Sequence, residues 1–147
     1  MPVNERLAYR DMVRDEWIDY NGHLSEPFYV MVFGFATTAM MSAIGLGDHY
    51  RAETGASLYT VEAHVRYLRE VHRNAELLVT TSVLSVGSKK VRFCHEMHVG
   101  DALVATEELL ALHVRGGASQ RFPRSVLGQL EEYVVAAPDY AGRSIYG

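Results

Sequence analysis

The chain has 147 residues, of which 48% are hydrophobic and 22% are charged, and its formal net charge is −4. A chain of this length forms one domain with a substantial core. We expect that domain over residues 1–135, followed by a C-terminal tail over residues 136–147. No run of like charges marks a nucleic-acid-binding arm, so a nucleic-acid partner is not expected. The single cysteine, Cys94, excludes an internal disulfide, which fits a cytoplasmic location. Its strand-like surroundings predict a core or sheet-surface residue rather than a nucleophile.

The N-terminal third is predicted to contain a strand, a loop and one long helix. The polar N-terminus lacks the apolar stretch of a signal peptide. Residues 5–14 form the strand and residues 15–24 form the loop. The helix is expected to start at Ser25, a good N-cap, with Glu26 at the positive helix end and Pro27 in the first turn.

This helix carries no charge over residues 27–47, which would be long enough to span a bilayer. The segment is nevertheless rich in Gly, Ala, Ser and Thr, it lacks basic flanks, and the rest of the chain has the pattern of soluble strands. A helix that is apolar on all sides also suits the buried centre of a domain. We therefore expect a buried helix and no membrane partner.

The second half of the chain is predicted to form consecutive hairpins. Strand-like segments cover residues 57–70, 75–86, 91–99 and 102–115, and short turns separate the last three. Because an apolar helix must be covered, the economical arrangement is a curved antiparallel sheet of about five strands around it, an α+β fold. A short helix can follow near residue 123.

The first of these strands, residues 57–70, has two different faces because its side chains alternate. The polar face is either solvated or turned toward another subunit, and the open edges of a single sheet also favour pairing between chains. We therefore expect a homodimer or homotetramer. The apolar face carries Val61, Ala63, Val65 and Tyr67, and the polar face carries Thr60, Glu62, His64 and Arg66.

A carboxylate, a glycine and a histidine lie directly before the long helix, in the stretch DYNGH at residues 19–23, and Tyr29 follows within the helix. This pattern resembles the hotdog-fold acyl-CoA thioesterases of the 4-hydroxybenzoyl-CoA thioesterase type. The resemblance covers roughly residues 6–115, including YTVEAHVRYLREV and LLALHV, and is strongest for the betainyl-CoA thioesterase branch of carnitine catabolism. It implies a hotdog fold, a cytoplasmic homo-oligomer, an acyl-CoA substrate and no cofactor.

Two departures from the family pattern affect the expected site. Many relatives carry two asparagines after the Gly-His pair, where Ser25 and Glu26 stand nearby in this chain. Many also carry a second aspartate two residues before the catalytic one, at the position of Trp17. The first change bears on hydrogen bonds at the helix start, and the second bears on the shape of the substrate pocket.

The resemblance assigns a role in thioester hydrolysis to each part of the motif. Asp19 either attacks the carbonyl carbon, giving a mixed anhydride, or activates water as a general base. The N–H groups of Gly22, His23 and Leu24 at the helix N-terminus would hold the developing oxyanion. Gly22, without a Cβ, would let the substrate approach the backbone. The alternative is a purely structural Asx-turn made by Asp19.

Several further side chains are candidates for the site. We expect His23 to line it as a donor rather than to act as a base. Glu62 and His64 could reach the Asp19 of a neighbouring subunit, with Glu62 in a catalytic role and His64 binding substrate, or could simply be solvated. Asn21 is a further substrate-binding candidate. Basic residues that could meet the phosphates of CoA are Arg66, Arg69, Arg73, Lys89, Lys90 and Arg92, of which Arg66, Lys89 and Lys90 are selected.

Aromatic residues concentrate near the motif. With a carboxylate they could form a cation–π cage for a trimethylammonium group, or they could pack the helix start. They are Trp17, Tyr20, Phe28, Tyr29 and Tyr59.

No metal site is expected, because His95 and His98 lie three residues apart on a strand and lack a zinc-ligand framework. Phosphate-loop, dinucleotide and serine-hydrolase motifs do not occur in the sequence. Two alternatives to a thioesterase stay open. One is a hotdog enoyl-CoA hydratase or dehydratase, and the other is a non-catalytic acyl-CoA-binding module.

Overall fold

The computed structural model describes residues 3–145, so the two terminal residues at each end of the predicted domain and tail lie outside it. Short 3-10 turns at Glu5–Leu7 and Asp15–Trp17 flank the first strand. The strands are β1 (Ala8–Met12), β2 (Ala56–Tyr67), β3 (Glu76–Val86), β4 (Lys90–Val99), β5 (Ala102–Arg115) and β6 (Ala118–Ser119), and the helices are α1 (Glu26–Ala43), α2 (Asp48–Thr54) and α3 (Arg124–Glu132).

The strands form one sheet in the order β1-β3-β4-β5-β2, and the two-residue β6 pairs with β5. The first strand pairs antiparallel with β3, with Ala8 opposite Thr80. The predicted α+β class with a long helix and five principal strands is therefore confirmed. The sheet has β2 at one edge, which leaves the backbone of that strand open along one side.

The chain folds as two compact units. The first unit contains the chain up to Met40 together with Val65–Thr81 and His95–Glu107. Its core packs the buried face of α1 against strand residues, and Tyr29, Val32, Phe33 and Ala36 are at most 4% exposed. The opposite face of α1 carries Gly34 and Val30, and Val30 is 41% exposed. The helix is thus buried along one face in the single chain.

The second unit contains Met41–His64, Ser82–Cys94 and the chain from Glu108 onward. Its buried residues include Ile44, Phe93 and, from α3, Leu130. The hydroxyl of Tyr50 lies 2.8 Å from Nε2 of His113, which closes a polar pair inside this unit. Cys94 is buried, so of the two predicted settings, core and sheet surface, the structure shows the core.

The predicted tail makes defined contacts within the second unit. The Tyr140 hydroxyl donates to Sγ of Cys94 at 3.5 Å, and the Gly142 N–H donates to Oε1 of Glu108 at 2.7 Å. The Val135 N–H also donates to the Val83 carbonyl at 2.9 Å. The position of the domain boundary stays a prediction.

The strict apolar and polar faces expected for residues 57–70 are not reproduced by burial. Residues 59–63 are exposed on both faces of β2, and Tyr59 and Val61 are 57% and 55% exposed. Because β2 is an edge strand, its apolar side chains lack cover from a further strand of the same chain.

No single helix in the described part of the chain is long and apolar enough to cross a membrane. The helices α1 and α2 meet the criteria of length and composition only when they are taken together as a bent pair.

Candidate active site

Asp19 organises the loop that precedes α1. Its Oδ1 accepts hydrogen bonds from the N–H groups of Asn21 and His23 at 2.9 and 3.3 Å. Its own N–H donates to the His23 carbonyl at 2.9 Å, which ties the two ends of the loop together. The structural role predicted for Asp19 is therefore present, and it occupies one carboxylate oxygen. Within residues 3–145 the other oxygen, Oδ2, makes no hydrogen bond, so the structural and chemical roles are compatible.

Gly22 is required by the backbone of this loop. Its φ of +78° lies in the left-handed region, which a side chain disfavours. A Cβ at this position would meet nothing within 4 Å, so the glycine faces open space rather than a packed neighbour. The predicted approach of a ligand to this backbone is sterically possible, and the turn alone already explains the glycine.

The expected oxyanion donors are engaged within the chain, which corrects that prediction. The Gly22 N–H donates to the Asp19 carbonyl at 3.0 Å, and the Leu24 N–H donates to the Val71 carbonyl at 2.7 Å. The His23 N–H is taken by the Asp19 side chain. The prediction failed because these N–H groups belong to the loop before α1, where Asp19 and Val71 accept them, and not to the open first turn of the helix.

One backbone donor remains at the start of α1. The Ser25 N–H donates to the Trp17 carbonyl at 2.9 Å, the Phe28 N–H donates to the Ser25 carbonyl at 3.0 Å, and Pro27 has no N–H. In the described chain the N–H of Glu26 makes no hydrogen bond. This group lies at the positive end of an 18-residue helix. It is therefore the main-chain group suited to a developing negative charge.

Asp19 and His23 lie on a cavity of about 520 Å³ in the first unit. Three carboxylates line it, against one guanidinium and the His23 imidazole, so a positively charged ligand is favoured electrostatically. The full lining comprises Asp19, His23, Leu24, Glu26, Tyr29, Tyr67, Leu68, Arg69 and Glu70.

Two tyrosines form the aromatic part of this cavity. The rings of Tyr29 and Tyr67 meet edge to face with their centroids 5.2 Å apart. The Tyr29 hydroxyl donates to the Arg69 carbonyl at 3.1 Å, which fixes its ring. Burial raises the pKa of both phenols above the ordinary value, so both are neutral at physiological pH.

His23 is held by a polar cluster on the neighbouring segment. Its backbone bridges to His72, and the two imidazoles meet edge to face at 5.0 Å. Its Nε2 lies 3.2 Å from Oε2 of Glu70. The ligand atoms of His23, Glu70 and His72 all lie within 4.8 Å of one another, so this trio could hold a divalent metal ion. The large separation along the chain hid this cluster from the sequence.

Six of the seven predicted substrate-binding residues do not line this cavity, namely Trp17, Tyr20, Asn21, Gly22, Tyr59 and His64. Trp17 is 2% exposed and stacks on Phe28 with ring centroids 5.9 Å apart, so it supports the loop from within the core. Tyr20 is 97% exposed, and Asn21 is also exposed. Tyr59 is 57% exposed on β2. Of the predicted aromatic set, Tyr29 alone is among the residues that line the cavity.

Glu62 and His64 lie in the second unit, on a different cavity of about 250 Å³. This cavity also contains Arg92, which ion-pairs with Glu108 at 2.6 Å. Its remaining lining residues are Leu109, Leu110, Gly142 and Arg143. The predicted reach of Glu62 and His64 to a neighbouring subunit's Asp19 stays a prediction.

The predicted CoA-binding residues are separated in the fold. Lys89 and Lys90 are exposed at the β3–β4 turn, and Arg66 is half-buried on β2. Arg69, considered from the sequence as a phosphate contact, lines the Asp19 cavity. Glu26, Tyr67 and Glu70 also line the Asp19 cavity and were not among the predicted site residues. Tyr67 and Glu70 nevertheless fall within the strand-like segment that resembled the family.

Comparison with known proteins agrees with this architecture. Residues 13–130 match the family model described as the thioesterase-like superfamily. Among solved structures, a thioesterase candidate from Pseudomonas putida superposes with a TM-score of 0.86 at 35% identity, covering 99% of this chain and 97% of that one. A Staphylococcus aureus protein solved in complex with CoA superposes with a TM-score of 0.89 at 23% identity, covering 95% and 94% of the two chains. The helix and antiparallel sheet therefore form a hotdog fold, as predicted.

The chain belongs to the thioesterase-like superfamily. It is 38% identical to the betainyl-CoA thioesterase of Pseudomonas aeruginosa over 94% of its own length and 92% of that protein. It is also 39% identical to an L-carnitine dehydrogenase/betainyl-CoA thioesterase of Agrobacterium fabrum, over 90% of this chain but 29% of that longer protein. The prediction of an enzyme that hydrolyses acyl-CoA thioesters is thereby confirmed at the level of the reaction class.

Proposed function

We propose that this enzyme hydrolyses betainyl-CoA to betaine and CoA at the Asp19 cavity. The observation that carries the proposal is the composition of that cavity, in which three carboxylates and a tyrosine pair surround a site with one guanidinium. A trimethylammonium acyl group needs negative charge and aromatic faces, because it has no N–H to donate. The similarity to betainyl-CoA thioesterases along nearly the whole chain supports the same substrate.

In the proposed reaction, Oδ2 of Asp19 acts on the thioester carbonyl. In one route it bonds to the carbonyl carbon, the carbon–sulfur bond breaks, and water then hydrolyses the mixed anhydride to betaine and the Asp19 carboxylate. In the other route it removes a proton from the water that attacks the carbonyl carbon before the carbon–sulfur bond breaks. In both routes water supplies the proton that converts the leaving thiolate to the CoA thiol. Hydrogen bonds from Asn21 and His23 to Oδ1 hold the carboxylate in position. Because both hydrogen bonds go to Oδ1, Oδ2 is left to act on the substrate.

The negative charge that develops on the carbonyl oxygen is assigned to the start of α1. The N–H of Glu26 is the main-chain donor left open there. One such donor typically contributes ~10²–10³ in rate. The imidazole of His23 lines the same cavity, and its contact with Glu70 at 3.2 Å orients the ring.

The CoA portion would leave this cavity past Arg69, the guanidinium on its wall. Arg66, Lys89 and Lys90 remain the proposed contacts for the CoA phosphates. The structurally similar S. aureus protein was solved with CoA, which supports the use of this fold for the same ligand.

We propose a cytoplasmic homodimer, or a tetramer built from it, in which β2 is covered by a second copy. This edge strand and the residue after it expose four large apolar side chains that are 40–57% accessible, namely Tyr59, Val61, Tyr67 and Leu68. Exposed apolar edges are usually protected in soluble proteins. In such an assembly Glu62 and His64 would face the partner rather than solvent.

Release of free CoA thiol from betainyl-CoA, acetyl-CoA, a medium-chain acyl-CoA and 4-hydroxybenzoyl-CoA tests the reaction and the substrate. We expect a clear preference for betainyl-CoA, and a loss of ~10³ or more in kcat for Asp19→Asn. Asparagine keeps an oxygen acceptor for the loop N–H groups, so the loop should persist. Asp15→Asn is the matched control, because Asp15 ion-pairs with Arg73 and does not line the cavity. Full activity in Asp19→Asn, or no thiol release from any substrate, would refute the proposal.

A further inference from the structure

Glu107 is a buried carboxylate with one oxygen that has no hydrogen-bond partner among the described residues. It lies on β5 and is 4% exposed, and the oxygen in question is Oε2. The next residue, Glu108, instead ion-pairs with Arg92. Burying a carboxylate without a partner destabilises a fold, so such a group calls for an explanation.

The backbone pairing places Glu107 near Tyr67, one of the two tyrosines that line the cavity, although Glu107 itself is not among the lining residues. The N–H groups of Leu68 and Arg69 donate to the Val104 carbonyl at 2.9 and 3.2 Å. In antiparallel pairing this sets Tyr67 near Ala105, and Glu107 follows two residues later on the same face of β5. The negative charge of Glu107 also contributes, after burial and Glu26, to the raised pKa of Tyr67.

The other carboxylates of this region are already engaged or more exposed. Asp19 uses one oxygen to hold its loop, and Glu70 contacts His23. Glu26 lies exposed at the helix start. Glu107 is the carboxylate that burial keeps from water, so its attraction for a nearby cation is screened least.

We propose that Tyr29 and Tyr67 form the subsite that receives the quaternary ammonium head of the acyl group, and that Glu107, buried near Tyr67, supplies its negative charge. The proposal rests on the proposed hydrolysis of betainyl-CoA and names the residue that selects the charge of its acyl group. A quaternary ammonium ion cannot donate a hydrogen bond, so it is recognised by ring faces and by negative charge. The positive charge of the ammonium head would compensate the negative charge of Glu107 without a hydrogen bond between them.

Two substrates of the same shape separate charge from size. Betainyl-CoA is compared with 3,3-dimethylbutanoyl-CoA, in which carbon replaces the quaternary nitrogen. Glu107→Gln keeps the volume and removes the charge. We expect kcat/KM for betainyl-CoA to fall ~10²-fold while kcat/KM for the neutral substrate changes less than about threefold. Glu96→Gln is the control, because Glu96 is a half-buried carboxylate on β4 whose Oε1 lies 3.4 Å from Nε2 of His98, whereas Oε2 of Glu107 has no partner among the described residues.

The outcomes distinguish this subsite from the function on which it rests. Equal losses for both substrates in Glu107→Gln, or no loss for either, would overturn the subsite and leave betainyl-CoA hydrolysis by the wild-type protein standing. A wild-type protein that cleaves neither substrate would overturn both. Should Glu107→Gln fail to fold, Tyr67→Leu tests the same subsite, since it should lower the ratio of cationic to neutral turnover about tenfold. An unchanged ratio in that variant would overturn the subsite.

Discussion

Two buried ionisable side chains of the first unit, His95 and Glu107, have contrasting environments. His95 is fully buried, and its two ring nitrogens lie 2.8 Å from the hydroxyls of Thr37 and Thr81. Its ring also stacks on Phe33 at 5.8 Å. Glu107 has one oxygen with no partner. A buried polar group whose contacts are complete stabilises one structure, whereas an incomplete one beside a cavity suits a ligand.

Removing His95 should have the largest effect on stability. His95→Ala leaves the hydroxyls of Thr37 and Thr81 facing a void, so we expect the free energy of unfolding to fall by about 4 kcal/mol. The ratio of cationic to neutral substrate turnover should not change in the protein that remains folded. Urea unfolding followed by circular dichroism measures the first quantity. A change in this ratio would contradict a purely structural role for His95.

Removing the charge of Glu107 should have the opposite effect on stability. Burial raises its pKa to about 7, above the usual 4.5 of an unfolded glutamate. The unfolded chain therefore releases its proton first, and stability falls as pH rises from 4.5 to 7. Glu107→Gln removes this loss, so we expect the variant to be more stable than wild type by up to about 3 kcal/mol at pH 8.

Unfolding of wild type and Glu107→Gln at pH 4.5 and pH 8 checks this sign. The difference in the free energy of unfolding should grow between the two pH values and then level off. Equal stabilities at both pH values would show that Glu107 is not a strained carboxylate, and would weaken the comparison with His95. Gain of stability with loss of cationic substrate preference is the pattern expected where a group is kept for function.

The loop motif before α1 and the buried Glu107 differ in how well the sequence predicted them. The loop motif from Asp19 to His23 could be predicted because all its parts are local and precede a helix. The apolar face of β5 carries Ala105, Leu109 and Ala111, with Glu107 as an acidic interruption. That signal was present in the alternation, but its meaning needed Tyr67, which lies on another strand. No local pattern states which strands become neighbours.

The same limit explains the remaining errors. The expected oxyanion donors failed by a few residues, because the N–H of Leu24 is captured by Val71 from a distant part of the chain. For Trp17 the sequence left open a substrate cage or packing at the helix start, and its stacking on Phe28 in the core decides for packing. Local motifs could be predicted from the sequence. Contacts between distant parts of the chain decided which of their groups remain free to contact a substrate.

Acid pH should destabilise the fold through His95. Burial lowers the pKa of His95 to about 3, from 6.5 in the unfolded chain. The unfolded chain therefore gains a proton first as pH falls below 6.5, and stability is lost progressively down to about pH 3. We expect this residue to account for about 2 kcal/mol of lost stability between pH 6.5 and 5. The slope of stability against pH in that range should be smaller in His95→Gln than in wild type, and equal slopes would contradict a buried neutral imidazole.

Removing one hydrogen-bond partner of His95 should give the smallest change in the free energy of unfolding. Thr81 is 6% exposed, and its hydroxyl lies 2.8 Å from Nδ1 of His95. Thr81→Val keeps the shape of the side chain but leaves that ring nitrogen unpaired, which should cost about 1–2 kcal/mol of unfolding free energy. The exposed Thr60→Val on β2 is the control and should change stability by less than about 0.5 kcal/mol. If Thr81→Val were as stable as the control, the hydrogen bond would not be what completes the environment of His95, and the contrast with Glu107 would not rest on Thr81.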